Sequence, residues 1–220
     1  MKKVMVSWSS GKDSCLSLIR LLQDPNYEVV GVFTSFVGEQ VPYQVTPISV
    51  VEMQAQLMGL PLIKIELPEV FPSNEIYQAC IVNGLKSCEL EFDCIAFGDM
   101  FHNGIADYRR SYIEPAGWEC IFPLLGAPSN QLAKEILEVG IKTILVTTQN
   151  EMLPVEFCGQ WYTTSLLNQL PENVDWCGEN GEFHTLVTQA PCFTGKLQLS
   201  KLHIESLSDY CHLRYRAVIS

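Results

Sequence analysis

The chain opens with a strand, a short polar loop and a helix, and this order constrains the fold more than any other feature. Val4–Trp8 is a strand-like run, and the polar stretch Ser9–Ser14 follows it at once. From Ser14 to Gln23, leucine and isoleucine recur along one helical face, and Pro25 ends the helix. A strand that runs through a tight loop into a helix is typical of the first unit of a parallel α/β sheet.

The loop has the composition of an anion-binding site. The first backbone N–H groups of a helix have no partner within it, and the helix dipole favours negative charge there. Gly11 lets the main chain approach a ligand closely, and Lys12 adds a positive charge. Hydroxyl donors come from Ser9, Ser10 and Ser14. We therefore predict a phosphate site, and a plain helix cap beside an unrelated lysine is the alternative.

The loop is not a Walker A motif. That motif has a glycine, four residues, and then Gly-Lys-Ser/Thr. Here Val6 stands at the position of the first glycine, and Asp13 follows Lys12. The loop is shorter and belongs to another class of phosphate site.

Apolar β-branched runs alternate with amphipathic stretches over most of the chain, as in βαβ units around a parallel sheet. The strand-like runs are Val4–Trp8, Val29–Thr34, Leu62–Ile65, Cys94–Phe97, Glu119–Phe122 and Thr143–Thr147. The helix-like stretches are Ser14–Gln23, Ile48–Met58, Ser73–Glu91, Gly104–Pro115 and Asn130–Val139. The predicted fold class is α/β, a Rossmann-like parallel sheet with helices on both faces.

After about residue 150, glycine and proline divide the chain into short segments. Two late strands, Lys196–Leu202 and Tyr210–Val218, are expected to pair antiparallel. We predict an N-terminal domain over residues 1–150. A smaller α+β subdomain over residues 151–220 is expected to pack onto it and complete the site.

Charge and cysteine content narrow the class of partner. Only 14 lysines and arginines stand against 25 acidic residues, a net charge of −11, and no basic cluster is stronger than Arg109-Arg110. Since nucleic-acid binding needs a basic face, nucleic acid is a disfavoured partner. The 9 cysteines form no Cys-x-x-Cys pair, and no export signal or membrane span is visible. We expect free thiols and a cytoplasmic protein.

A second group of reactive side chains lies at residues 175–185. Two carboxylates three residues apart, Glu179 and Glu182, each follow a glycine, and His184 and Thr185 come directly after. Carboxylates beside a nucleotide hold Mg²⁺ or orient an incoming amine. An acidic hairpin whose glutamates are only solvated is the alternative.

The phosphate loop resembles the Ser-Gly-Gly-Lys-Asp-Ser PP-loop of the N-type ATP pyrophosphatases, which have a HUP-type fold. The one departure is Ser10, where that family has its first glycine, and a positive φ there is costly for serine. In that family the loop binds the β- and γ-phosphates of ATP while a substrate attacks the α-phosphate. The products are an adenylated substrate and pyrophosphate. The resemblance gives these roles to Ser9, Gly11, Lys12, Asp13 and Ser14.

The second group resembles the Gly-Glu-x-Gly-Glu-Phe-His-Thr/Ser signature of the diphthine–ammonia ligase family. The resemblance extends over roughly residues 4–193, and its other segments are Leu57–Leu62, Phe97–Phe101, Arg109-Arg110 and Pro123–Leu125. It implies a ligase that adenylates a carboxylate and then amidates it with ammonia. Two departures concern the acceptor: Val41–Pro47 lacks the family's histidine, and Pro123-Leu124-Leu125 replaces Pro-Leu-Trp.

The resemblance implies a set of site residues and cofactors. The catalytic candidates are Lys12, Asp13, Glu179, Glu182 and His184. The nucleotide-binding candidates are Ser9, Ser10, Gly11, Lys12, Asp13, Ser14, Gly98, Asp99 and Thr185. The expected cofactors are ATP and Mg²⁺, with Asp13 and Glu182 as metal ligands.

Several of these residues have a second interpretation. Asp99 contacts a metal or the amine, or else caps a helix. One of Arg109 and Arg110 clamps pyrophosphate or a substrate carboxylate, or else these arginines form solvated salt bridges. His184 transfers a proton, or else it fills the core. Cys177 is a poor candidate for a nucleophile because adenylation needs no thiol.

The expected partners are ATP, ammonia and a carboxylate acceptor, and a homodimer is left open. Two other functions compete with the ligase. One is a PP-loop ATPase that acts on a different small molecule or on tRNA. The other is a sensor that binds ATP or AMP without turnover.

Overall fold

A computed structural model describes all residues of the chain, 1–220. The strands are β1 (Lys2–Ser7), β2 (Tyr27–Phe36), β3 (Gln40–Val41), β4 (Thr46–Pro47), β5 (Leu62–Glu66), β6 (Cys94–Ala96), β7 (Glu119–Ile121), β8 (Lys142–Gln149), β9 (Phe183–Gln189), β10 (Leu197–Ser206) and β11 (Tyr210–Ile219). The helices are α1 (Lys12–Gln23), α2 (Ile48–Met58), α3 (Asn74–Lys86), α4 (Ile105–Ile113), α5 (Ser129–Val139) and α6 (Thr164–Leu167).

Five strands form a parallel sheet in the order β5-β2-β1-β6-β7. Successive residues of β1 are buried on opposite faces: Val4 and Val6 join a core under α1, α2 and α5, and Met5 joins a second core under α3 and α4. The predicted α/β sheet with helices on both faces is confirmed. The strand order reverses at β1, and ligands of such sheets bind at that point.

Four strands form a second, antiparallel sheet in the order β10-β11-β8-β9. The predicted antiparallel pairing of the last two strands is confirmed. A third core, which includes Leu57, Ile144 and Leu186, joins α2 to this sheet.

One strand was assigned to the wrong sheet. Thr143–Thr147 was expected to continue the parallel sheet, but β8 pairs antiparallel with β9 and β11. Its residues from Thr143 to Thr148 are all buried. A strand that is buried on both faces has the same apolar pattern in either kind of sheet, so periodicity cannot distinguish them. The division of the chain at residue 150 stays a prediction.

The helix predicted over Ser73–Glu91 ends at Lys86. Ser87 is its C-cap, and the Ser87 hydroxyl donates to the Gly84 carbonyl of the last turn. The other four predicted helices start and stop close to the predicted residues, and the short helix α6 was not predicted. No helix is both long enough and apolar enough to cross a bilayer.

Candidate active site

The phosphate loop connects the end of β1 to the start of α1. Ser10 has a φ of 71°, in the left-handed region where the related loops have glycine. Its side chain is buried, and its hydroxyl donates to Gln44 Oε1 at 2.9 Å and forms a second hydrogen bond with the hydroxyl of Thr46 at 3.1 Å. These two hydrogen bonds attach the phosphate loop to the segment Val41–Pro47, the same segment that lacks the family's histidine.

We expect Ser10→Ala to destabilise the protein more than Ser10→Gly. Alanine keeps the side-chain carbon that strains the left-handed backbone and loses both hydrogen bonds, a cost of about 1 kcal/mol or more. Glycine loses the same bonds but removes the strain, which offsets roughly 1 kcal/mol. Urea unfolding of the two variants measures the difference. Equal stability of both variants would show that Ser10 is not strained.

The first turn of α1 leaves backbone donors available to a ligand. Neither Asp13 nor Ser14 donates its backbone N–H to another residue. Gly98, at the end of β6, packs against this turn, and a Cβ there would lie 3.1 Å from Ser14 N. Gly98 therefore permits the close approach of β6 to the loop.

Lys12 is almost fully buried, with 2 % of its surface exposed. Its ammonium donates to Asp13 Oδ2 at 2.8 Å and to the Cys177 carbonyl, and it lies 5.5 Å from the centre of the Phe183 ring. Burial acts to lower the pKa of Lys12, but Asp13, Cys177 and Glu179 outweigh it, and the pKa is raised. The ammonium is therefore a fixed positive charge at neutral pH.

Strand β9 lies directly against the phosphate loop. Thr185 Oγ1 accepts a hydrogen bond from Lys12 N at 3.2 Å, and Val187 N donates to the Ser10 carbonyl at 3.0 Å. Gln54 joins the two segments, because its amide donates to the Ser10 carbonyl and to the Val187 carbonyl. The fold thus brings together the two groups of reactive side chains that are far apart in the sequence.

Glu182 is buried and holds the turn before β9. Its Oε1 accepts from Asp175 N at 2.9 Å and from Asn180 Nδ2 at 3.0 Å, and its Oε2 accepts from Asn180 N at 2.9 Å. Both carboxylate oxygens are therefore engaged within the turn. The catalytic and metal-binding roles of Glu182 stay predictions.

Glu179 lies among other acidic groups close to Lys12. Burial raises the pKa of Glu179 to about 8, and the charges of Asp13, Asp99 and Asp175 add to the effect while Lys12 opposes it. A carboxyl group with this pKa exchanges its proton near neutral pH. This is the property that a general acid or base requires.

The raised pKa of Glu179 predicts a pH-dependent stability. Between its ordinary pKa of 4.5 and about 8, the group is ionised in the unfolded chain but protonated in the folded protein. The unfolded state therefore binds fewer protons, and stability falls as pH rises through this range, by roughly 3 kcal/mol between pH 5.5 and pH 8.5. Glu179→Gln should remove most of this decline in urea unfolding at pH 5.5 and pH 8.5. The exposed neighbour Glu172, changed to Gln, is the control, and an equal slope in both variants would contradict the account.

The site has one oxygen suited to a cation. Asp13 Oδ1 is buried and has no hydrogen-bond partner. An orphaned carboxylate oxygen beside a phosphate loop fits Mg²⁺, which is bound by one or two carboxylates together with substrate phosphates. No group of three or more His, Cys, Asp and Glu side chains is arranged around a common metal position. Asp13 therefore fits the expected metal, whereas both oxygens of Glu182 already accept hydrogen bonds within the turn.

A cavity of about 500 Å³ opens beside the loop, between Ser9 and Arg109. Asp99 Oδ2 lies 3.4 Å from Arg109 Nε and does not cap α4, whose N-cap is Gly104. His184 lines the cavity, and burial, with Lys12 next, lowers its pKa to about 4, so its ring is neutral.

Several cavity residues were not identified from the sequence. Tyr43, Phe71, Tyr77 and Tyr108 come from separate segments and form its aromatic walls. Only Tyr43 belonged to a segment that the sequence had connected with the acceptor. The other aromatic residues have no local pattern that distinguishes them from core residues.

Two other candidate residues, Cys177 and Arg110, have surroundings that favour a structural role over a chemical one. Burial raises the pKa of Cys177 to about 12, so its thiol stays protonated at neutral pH and is a poor nucleophile. Arg110 is exposed and pairs with Asp107 and Glu114, which matches the solvated salt bridge considered for it.

The family of the chain follows from two matches that together cover most of it. The N-terminal domain of diphthamide synthase matches residues 1–117, and the C-terminal domain of diphthamide synthase matches residues 128–218. The chain belongs to the diphthamide synthase family. The resemblance based on the two motifs is thereby confirmed. As a member of the diphthamide synthase family, the chain is a nucleotide-binding PP-loop enzyme.

Three solved structures are similar to this member of the diphthamide synthase family. A predicted subunit of a tRNA methyltransferase from Methanocaldococcus jannaschii has a TM-score of 0.47 and 19% identity, over 64% of this chain and 77% of that one. The tRNA thiolase NcsA from Methanococcus maripaludis has a TM-score of 0.41 and 21% identity, over 63% of this chain and 57% of that one. A bifunctional NMN adenylyltransferase/ADP ribose pyrophosphatase from Francisella tularensis has a TM-score of 0.37 and 17% identity, over 56% of this chain and 38% of that one. No curated protein matches the chain.

Proposed function

We propose that the chain is an ATP-dependent ligase that converts a carboxylate into an amide. In the first step a carboxylate oxygen of the acceptor bonds to the α-phosphorus of ATP. The bond from that phosphorus to the bridging oxygen breaks, and pyrophosphate leaves. In the second step ammonia attacks the acyl carbon, AMP leaves with the bonding electrons, and the nitrogen loses a proton.

The observation that supports this proposal is the junction of the phosphate loop with residues 175–185. The phosphate loop carries the backbone N–H groups of Asp13 and Ser14, which donate to no other residue, and the buried ammonium of Lys12. Ser9 of the same loop lines the cavity. Fixed donors at this place stabilise the charge that develops on departing pyrophosphate. The hydroxyls of Ser9 and Ser14 lie 3.2 Å apart on the same side of the loop.

The acidic side chains of the site have different roles in the proposed reaction. Asp13 Oδ1 would hold Mg²⁺, which neutralises phosphate charge when bound. Glu179, with a pKa near 8, takes the proton from the nitrogen that attacks. Glu182 holds the turn before β9, and Thr185 holds the first residue of α1, Lys12. His184, which is neutral, lines the cavity without adding charge.

Products formed from ATP labelled at the α-phosphate test this proposal. With Mg²⁺, ammonium and a panel of carboxylates, we expect AMP and pyrophosphate, formed only when a carboxylate of the panel is accepted. ATP that stays intact with every acceptor would favour the sensor, and ADP as the product would contradict adenylation. Salt-sensitive binding of tRNA would favour a tRNA acceptor.

A further inference from the structure

The cavity beside the phosphate loop has an unusual charge pattern for an acidic protein. Its volume of about 500 Å³ is that of a site for one small ligand. Five of its 19 lining residues are aromatic (Trp8, Tyr43, Phe71, Tyr77 and Tyr108), and none is an aspartate or glutamate, although the chain has a net charge of −11. Arg109 supplies the one formal charge.

Arg109 is fixed in place by the residues around it. Its Nη1 donates to the hydroxyl of Tyr77 at 3.0 Å and to that of Tyr112 at 3.1 Å, and its guanidinium lies 4.8 Å from the centre of the Phe97 ring. Its Nε lies 3.4 Å from Asp99, a long and weak contact. The side chain is therefore held on three sides before any ligand arrives.

One edge of the guanidinium remains free. Of the five N–H donors of an arginine, the two on Nη2 donate to no residue of the protein. The two N–H groups of Nη2 can donate to a carboxylate, and hydrogen bonds between two charged groups are stronger than neutral ones. A side chain that is already ordered loses little conformational entropy when it binds an anion.

We propose that this cavity binds the acceptor as a small, mainly apolar or aromatic acid, and that Arg109 holds its carboxylate. The inference rests on the proposed function and specifies its acceptor. Aromatic rings contact the body of the molecule, and Ser9 places the phosphate loop at the same cavity. Arg109 thereby sets the preference for an anion and orients it.

Binding of three probes without ATP tests the inference. The probes are 2-naphthoate, its neutral amide, and phenyltrimethylammonium, and their affinities are measured by calorimetry. We expect 2-naphthoate to bind at least 10-fold more tightly than the amide. Equal affinities, or tighter binding of the quaternary ammonium, would overturn the inference.

A matched pair of variants assigns the preference to one residue. Arg109→Met should abolish the preference for the acid, and Arg110→Met, which changes the exposed arginine beside it, should keep it. Arg109→Lys should retain part of it, and it replaces the methionine variant if that one does not fold. If the preference for the acid over the amide is unchanged in both Arg109→Met and Arg109→Lys, the inference is overturned. It is also overturned if these variants lose affinity for ATP but keep their affinity for 2-naphthoate.

The result can be separated from a failure of the proposed function. If the parent protein releases AMP from ATP but the probes bind equally, the acceptor inference fails alone. If 2-naphthoate binds through Arg109 but ATP is never cleaved, the ligase proposal fails alone.

Discussion

Gly178→Ala is expected to destabilise the protein by about 3 kcal/mol or more and to abolish turnover. Gly178 has a φ of 73°, and a Cβ there would lie 2.6 Å from the Phe183 carbonyl oxygen. This distance is too short for a carbon and an oxygen that are not bonded, and the atom it meets is backbone. The turn must therefore open, and it would move the Cys177 carbonyl away from Lys12.

Gly181→Ala is the matched control for this prediction. Gly181 lies in the same turn with a φ of 87°, but a Cβ there meets no atom within 4 Å. Its substitution should cost only the strain of a left-handed alanine, about 1 kcal/mol. Urea unfolding and ATP turnover of both variants measure the effect. If the two variants lose the same stability, contact with the Phe183 carbonyl is not the reason that position 178 needs glycine.

Lys12→Met is expected to reduce ATP cleavage by a factor of about 100 to 1,000 while the protein stays folded. Methionine keeps an unbranched apolar chain against the rings of Phe183 and Tyr162, and it removes the ammonium. Without this charge, no basic side chain within residues 9–14 balances Asp13 and the phosphates. Steady-state formation of AMP gives the rate, and circular dichroism checks the fold.

Lys2→Met is the control for the loss of a lysine elsewhere. Lys2 pairs with Glu119 on the surface, so its substitution should leave both the rate and the stability nearly unchanged. If Lys12→Met forms AMP as fast as the parent protein, Lys12 has no role in the reaction.

The parallel sheet and the phosphate loop could be predicted because their signals are local. A strand, a serine- and glycine-rich loop and a helix follow one another within residues 4–23, so their order alone places the loop at the edge of the sheet. The turn at residues 175–185 was also identified from its residues and spacing. Its packing against residue 12 depends on the pairing of β8 with β9, which is not a local property.

The role of Glu182 shows why chemistry is harder to predict than position. From spacing, Glu179 and Glu182 were equivalent carboxylates. In the structure, Glu182 accepts three hydrogen bonds from its own turn, and Glu179 lies among acidic groups with a raised pKa. The direction of a side chain in a glycine-rich turn depends on backbone torsions, which the sequence does not specify.

The aromatic cavity could not be assembled from the sequence. Tyr43, Phe71, Tyr77 and Arg109 come from four segments, and they meet only when α3 and α4 pack over the carboxyl ends of the strands. The alternative considered for Arg109, a solvated salt bridge, describes Arg110 instead. Two adjacent arginines on a helix point in different directions, and burial of one of them depends on the helix orientation.

The position of the triphosphate in a crystal structure with α,β-methylene-ATP and Mg²⁺ tests the central claim most directly. The account predicts that the phosphates contact the backbone N–H groups of Asp13 and Ser14 and the hydroxyls of Ser9 and Ser14. Phosphates bound elsewhere, with the loop at residues 9–14 free of the nucleotide, would contradict it.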